Sequence, residues 1–161
     1  MKMKQLMILL LLAVSTTMSG QQVYSELRQK AQATVSDPQA NSVVKQISQF
    51  KLDALNYMAI KMREEMPDST VTFLDKQAMA MDNFVNFYVQ QLIASTQLPN
   101  VEQVKMIKMF MDASYSNPLF KDKDKEMTLS YYNRDCLTRF SLDTDWPRAL
   151  AAITEAMDVG E

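Results

Sequence analysis

Several sets of side chains in this sequence have the types and spacing to do chemistry. Met58, Met62 and Met66 lie four residues apart, so a helix would line their thioethers along one face, and thioethers are soft donors that select Cu(I). The chain holds 14 Met, and "MAM" at 79–81 and "MFM" at 109–111 add to the impression. Side chains two apart point to nearly opposite sides of a helix, however, so those pairs cannot chelate together. Core filling by a flexible, unbranched side chain is the preferred reading, and a Cu(I) site at Met58, Met62 and Met66 is the alternative. Glu64, Glu65, Asp143 and Asp145 supply carboxylates for a hydrolase of the glycosidase type, which needs two facing acids and no His. Asp143 and Asp145 equally suit the start of a helix.

The stretch "YYNRDCLTRFSLDTDWPRAL", residues 131–150, differs from everything before it. It holds the single Cys and the single Trp. Tyr131, Tyr132, Arg134, Arg139 and Trp146 form the candidate partner-contact set, because aromatics and Arg are the usual anchors of binding surfaces. Trp146 also suits a plug where this stretch meets the last helix, and packing is the preferred role. Cys136 follows Arg134 and Asp135, whose charges push a thiol in opposite directions, and it has no His to serve as base; a small buried hydrophobe is the expectation. In "DKDKE", Asp122, Asp124 and Glu126 have the spacing that begins a calcium loop. The sixth and twelfth places are Met127 and Asn133 rather than Gly and a carboxylate, so a solvated connector is expected.

Absences narrow the function further. The chain has no His, which removes Ser/His and Cys/His nucleophile pairs and His-ligated metals. Gly20 and Gly160 are the only glycines, so phosphate-binding loops, dinucleotide fingerprints and the nucleophile elbow lack the residue they require.

The chain opens "MKMKQLMILLLLAVSTTMSGQQ", with Lys2 and Lys4 ahead of an apolar run from Leu6 to Val14 and then small residues. That order is the signature of a secretory signal peptide, over 1–20, and the apolar run is shorter than the roughly 20 residues that span a bilayer. A single helical domain over 21–161 is expected, periplasmic or secreted, with no transmembrane segment in the mature chain. Without Lys2 and Lys4 the basic residues fall from 17 to 15 against 19 acidic ones, a formal charge of about −4, with no basic cluster for nucleic acid. Roughly 140 residues suffice for one core without disulfide staples.

Helical periodicity runs through most of the remainder. A weakly amphipathic helix over 23–35 ends at "SDPQ". A second over 41–66 carries Val44, Ile47, Leu55, Met58 and Met62 on one face and stops at Pro67. A third over 70–95, capped by Asp68 or Ser69, sets Leu74, Ala78, Met81, Val85, Tyr88 and Leu92 in one seam; these two form the expected core hairpin. A fourth over 100–116, capped by Asn100, is apolar enough to be buried on two or more sides. Alternation over 127–142 predicts a β-hairpin turning at Asn133–Asp135 and lying on the helices. Thr144 or Asp145 then caps a last helix with Pro147 in its first turn.

Three stretches, "KMREEMPDSTVTFLDKQA", "MDASYSNPLF" and "TRFSLDTDW", resemble a group of small exported bacterial proteins with no assigned activity. The resemblance implies export and brings no catalytic residue with it. The expectation is therefore a mainly α bundle of four or five helices with a short C-terminal β-hairpin packed on it. Its function is non-enzymatic binding of a protein, peptide or apolar ligand in the cell envelope, with no cofactor.

Overall fold

A computed structural model describes residues 22–121 and 137–158. Among them are five α-helices: α1 Val23–Ser36, α2 Ser42–Glu65, α3 Val71–Ala94, α4 Asn100–Tyr115 and α5 Trp146–Asp158, with a 3₁₀ turn at Ser95–Gln97. The chain is thus mainly helical, as its periodicity predicts.

The helix starts follow local chemistry. Asn41 caps α2, its side chain accepting from the Val43 N–H at 2.8 Å. Thr70, rather than Asp68 or Ser69, caps α3 by accepting from the Phe73 N–H at 3.2 Å. Asn100 is the first residue of α4 and makes no cap; Pro99 precedes it with no side-chain bond. Asp145 leads into α5, where its carboxylate accepts from the Arg148 N–H at 3.5 Å and Pro147 occupies the first turn.

The α3 seam is the centre of the molecule. Ala78, Met81, Val85 and Tyr88 are buried, with Leu74 and Leu92 packed at its ends. Phe84, one position off that seam, is fully buried and meets three rings edge-on: Phe140 at 5.1 Å, Phe110 and Trp146 each at 5.4 Å between centroids. Phe50 from α2 closes the cluster against Phe140 and Trp146. Each such contact adds about 0.5–1.5 kcal/mol beyond the area it buries.

The α2–α3 pair is not the most extensive one. The closest packing is between α1 and α2, followed by α3 and α5. Helix α1 reaches the core through Val23, Leu27 and Ala31, four apart, whose small stripe makes the helix read as polar. Helix α4 is buried on one side only, through Met106, Phe110 and Ser114; Val101 is 76% and Val104 57% exposed. Its apolar count therefore overstates its burial.

The expected β-hairpin over 127–142 is not borne out where it can be seen. Residues 122–136 lie outside the described residues, and 137–142 form no strand. Phe140, Ser141 and Leu142 are buried consecutively, which no strand with one solvated face allows. Their backbone serves a corner instead. Ser141 N–H donates to Ser114 Oγ at 2.9 Å, Leu119 N–H to the Asp143 carbonyl at 2.6 Å, and Asp145 N–H to the Asn117 carbonyl at 2.7 Å. The last two flank an isolated antiparallel bridge between Pro118 and Thr144.

Two buried side chains tie helix ends across the fold. Asp75 of α3 accepts from the Tyr24 N–H at 2.9 Å and so caps α1 from outside it. Gln77, also buried, donates to Asp145 Oδ1 at 3.2 Å and accepts from the Trp146 N–H at 3.0 Å. On the opposite flank Lys51 of α2 reaches Asp82 and Asn86 of α3 at 2.6 and 2.7 Å.

Val85→Asp should unfold the domain or cost at least about 3 kcal/mol, because a carboxylate would enter the seam without a partner. Denaturation followed by Trp146 fluorescence measures it, and a midpoint near wild type would show that the seam is not core. Gln77→Leu should cost about 1–3 kcal/mol by stranding the Trp146 N–H; an unchanged midpoint would mean that the α5 start finds another acceptor.

Candidate functional site

The α1–α2 hairpin carries a groove of about 820 Å³. On α1 it is lined by Tyr24, Ser25, Arg28, Gln29, Gln32, Ala33 and Ser36. These residues share one face of a 3.6-residue helix, turned away from the Val23, Leu27 and Ala31 stripe that packs inward. Asn56, Ala59, Ile60 and Arg63 line the opposite wall, at the same helical spacing on α2. Ala33 and Ala59 are the reason for the space, since neither side chain is large enough to fill it.

The polar groups of the groove are partly paired with one another: Gln32 Nε2 donates to Ser36 Oγ at 3.2 Å. Arg28 donates from Nε to Asn56 Oδ1 at 2.9 Å, which holds the guanidinium plane across the two helices. Among the described residues no other protein acceptor takes a hydrogen bond from Arg28, and Arg63 has no partner. Tyr24, half-buried, lines the groove with them and feels both charges. Burial pushes its phenol above the ordinary value, while the Arg28 and Arg63 charges pull it partly back. The phenol is therefore a neutral O–H donor at physiological pH. None of the lining residues is acidic, although the chain as a whole carries a charge of −2.

Guanidinium, phenol, hydroxyl and carboxamide groups donate and accept hydrogen bonds, and none of the lining residues is a carboxylate or thiol.

Of the residues expected to form a contact set, Arg139 and Trp146 are among the described residues, and neither lines the groove. Trp146 is fully buried against Phe50 and Phe84, where it packs α5 onto the core. Arg139 lies on the buried approach to α5, in the segment that holds Thr138 and Phe140. Tyr131, Tyr132 and Arg134 lie outside the described residues, as do Cys136, Asp122, Asp124 and Glu126. Met58 and Met62 belong to the hydrophobic core and Met66 packs against it. Each of the four candidate carboxylates is engaged within the protein. Glu64 pairs with Lys61 at 3.2 Å, and Glu65 accepts from the Lys121 N–H at 2.9 Å. Asp143 accepts from the Ser141 hydroxyl at 2.5 Å, and Asp145 serves Gln77 and the start of α5.

Sequence reasoning missed Tyr24, Arg28 and Arg63 as a group. The available signal was two arginines on helices joined by a short loop, each placed one turn from an Ala; pairing them requires knowing that α1 packs against α2.

Because folding holds the Tyr24 phenol above its ordinary value of 10.0, the folded state keeps that proton longer than the unfolded chain. The resulting stabilisation is fully present below the unfolded value and is lost as pH rises through the folded one. Tyr24→Phe should therefore remove a phenolate absorbance component titrating above the ordinary tyrosine range, and should flatten the alkaline fall in stability. A component at or below that range would mean that the two arginines outweigh burial.

Comparison of the chain with protein-family models, with curated proteins and with solved structures finds no match, so the groove is read from its own chemistry.

Proposed function

We propose that this protein is an exported binding protein of the cell envelope that holds a polar ligand in the α1–α2 groove without altering it chemically. The observation that carries the reading is the groove itself. It is an open surface groove that holds two arginines and a phenol, on a hairpin whose Val23, Leu27 and Ala31 stripe is packed inward. Surface arginines are normally scattered and solvated; here two of them flank one phenol above small apolar side chains.

Export rests on the amino-terminal order of Lys2, Lys4, the apolar run from Leu6 to Val14 and the small residues after it. No helix among the described residues is long and apolar enough to cross a membrane. The aromatic and Arg-rich stretch near the C-terminus contributes Trp146 and Phe140 to packing, which leaves the groove as the better place for a ligand.

The full chain, expressed in a bacterial host and recovered from the envelope fraction, tests both parts. Intact mass should show a chain beginning near Gln21. Small molecules released by denaturation should include a species retained by the wild type and lost from Ala59→Trp, which fills the groove at a partly buried position and should leave far-UV circular dichroism unchanged. An unprocessed mass would sink export. Equal retention by both proteins would sink the groove.

A further inference from the structure

We infer that the charged end of the groove takes the C-terminal carboxylate of an extended peptide, whose backbone then runs along α1 toward Ser36. This rests on the reading of the groove as the ligand site and names what the ligand must carry.

Two guanidiniums make the charged end of the groove. A guanidinium presents paired N–H groups in a fixed fork that matches the two oxygens of a carboxylate. Arg28 is already oriented by its Nε bond to Asn56 and keeps its outer N–H groups for another acceptor. Arg63 lines the same groove from α2 and, among the described residues, makes no hydrogen bond or ion pair. The Tyr24 hydroxyl, in the same lining, supplies a further donor. A carboxylate there has more donors available than it has lone pairs to offer, and no lining residue repels it.

The rest of the groove selects what is attached to that anion. Gln29 offers an N–H₂ donor and a carbonyl acceptor, Asn56 keeps its N–H₂ group while its Oδ1 accepts from Arg28, and Gln32 keeps its carbonyl while its Nε2 donates to Ser36 Oγ at 3.2 Å, so donors and acceptors of the kind a peptide backbone pairs with are both present. From Arg28 to Ser36 the helix rises about 12 Å at roughly 1.5 Å per residue, the length of three to four extended residues. Ala33, Ala59 and Ile60 give a shallow apolar floor that admits side chains without demanding a particular one. An isolated inorganic anion would use the two arginines and leave the amides idle.

The local charge also opposes that of the whole molecule. The groove lining carries two cations and no anions on a chain of net charge −2, so an anionic end is drawn to this face and repelled from most others. Attraction of this kind weakens as salt rises, because the site is open to solvent.

The test uses two N-acetylated, randomised pentapeptide mixtures, one with free C-terminal carboxylates and one amidated, each equilibrated with the mature protein at low and high salt. Retained peptide is read by mass spectrometry. The carboxylate mixture should be retained at least about tenfold better than the amide mixture, corresponding to roughly 1.4 kcal/mol, and the advantage should shrink at high salt. Arg28→Gln and Arg63→Gln should each erase most of the preference. Both residues are exposed, so circular dichroism and melting should match wild type. Equal retention of the two mixtures, with both lost from Ala59→Trp, would overturn the carboxylate assignment while the groove stands as a binding site. A carboxylate preference that survives both Arg variants would overturn the placement. Retention of neither mixture, with inorganic phosphate raising the melting temperature through Arg28 and Arg63, would overturn the peptide in favour of a free oxyanion.

Discussion

The ring of Phe84 is the contact on which the rest of the structure depends. It stands on α3 and meets Phe110 of α4, Phe140 of the segment before α5, and Trp146 of α5, all within 5.4 Å and all edge-to-face. Phe50 brings in α2 through Phe140 and Trp146. Four helices and one irregular segment therefore share a single aromatic cluster. Edge-to-face rings are directional, since the positive edge of one seeks the negative face of another, so the cluster sets the angles between elements as well as burying area. Met fills what the rings leave: Met58, Met62 and Met81 are buried around them, where an unbranched side chain adapts to gaps that rigid aromatics create.

Buried polar groups then choose one arrangement among the many that hydrophobic burial alone would permit. Ser114 and Thr144 share a hydrogen bond of 2.7 Å, and Ser114 Oγ also accepts from the Ser141 N–H. Thr144 reaches the Ser141 carbonyl at 2.7 Å, so the end of α4 and the corner before α5 lock together with their donors used. Gln77 does the same for the first turn of α5, and Asp75 for the first turn of α1. A buried donor left without an acceptor costs more than the bond gains when formed, which is why such groups specify register more than they add stability. Two stretches far apart in sequence, "MDASYSNPLF" and "TRFSLDTDW", turn out to be the two halves of this junction.

The same hairpin that anchors α1 produces the groove. Val23, Leu27 and Ala31 commit one face of α1 to the core, and Ala33 with Ala59 keeps the neighbouring faces of α1 and α2 from closing on each other. What is left between them is a trough with arginines at one end. Its lining offers hydrogen-bond donors and acceptors from guanidinium, phenol, hydroxyl and carboxamide groups. The aromatic-rich C-terminal stretch, which has the composition of a contact surface, spends Phe140 and Trp146 inside the molecule. Composition marks residues that are able to anchor something, and here the thing anchored is the protein's own last helix.

Periodicity by itself determined that the chain is helical, where α2 and α3 stop and start to within a residue or two, and that Ala78, Met81, Val85 and Tyr88 form a seam. These are local properties: Pro67 ends a helix and Asn41 begins one whatever surrounds them. The lack of His and the near lack of Gly excluded whole classes of chemistry for the same reason. Only the tertiary structure decided that α1 pairs most closely with α2, that α4 is buried on one side, and that Phe140, Ser141 and Leu142 form a buried corner. Each depends on a partner distant in sequence, and alternating residue types look the same in a strand as in an irregular segment whose every side chain finds a pocket. The groove belongs to this second kind. Tyr24, Arg28 and Arg63 become a site only because two helices pack with alanines between them, and the energy that arranges them is spent in the core, several ångströms away from the groups it positions.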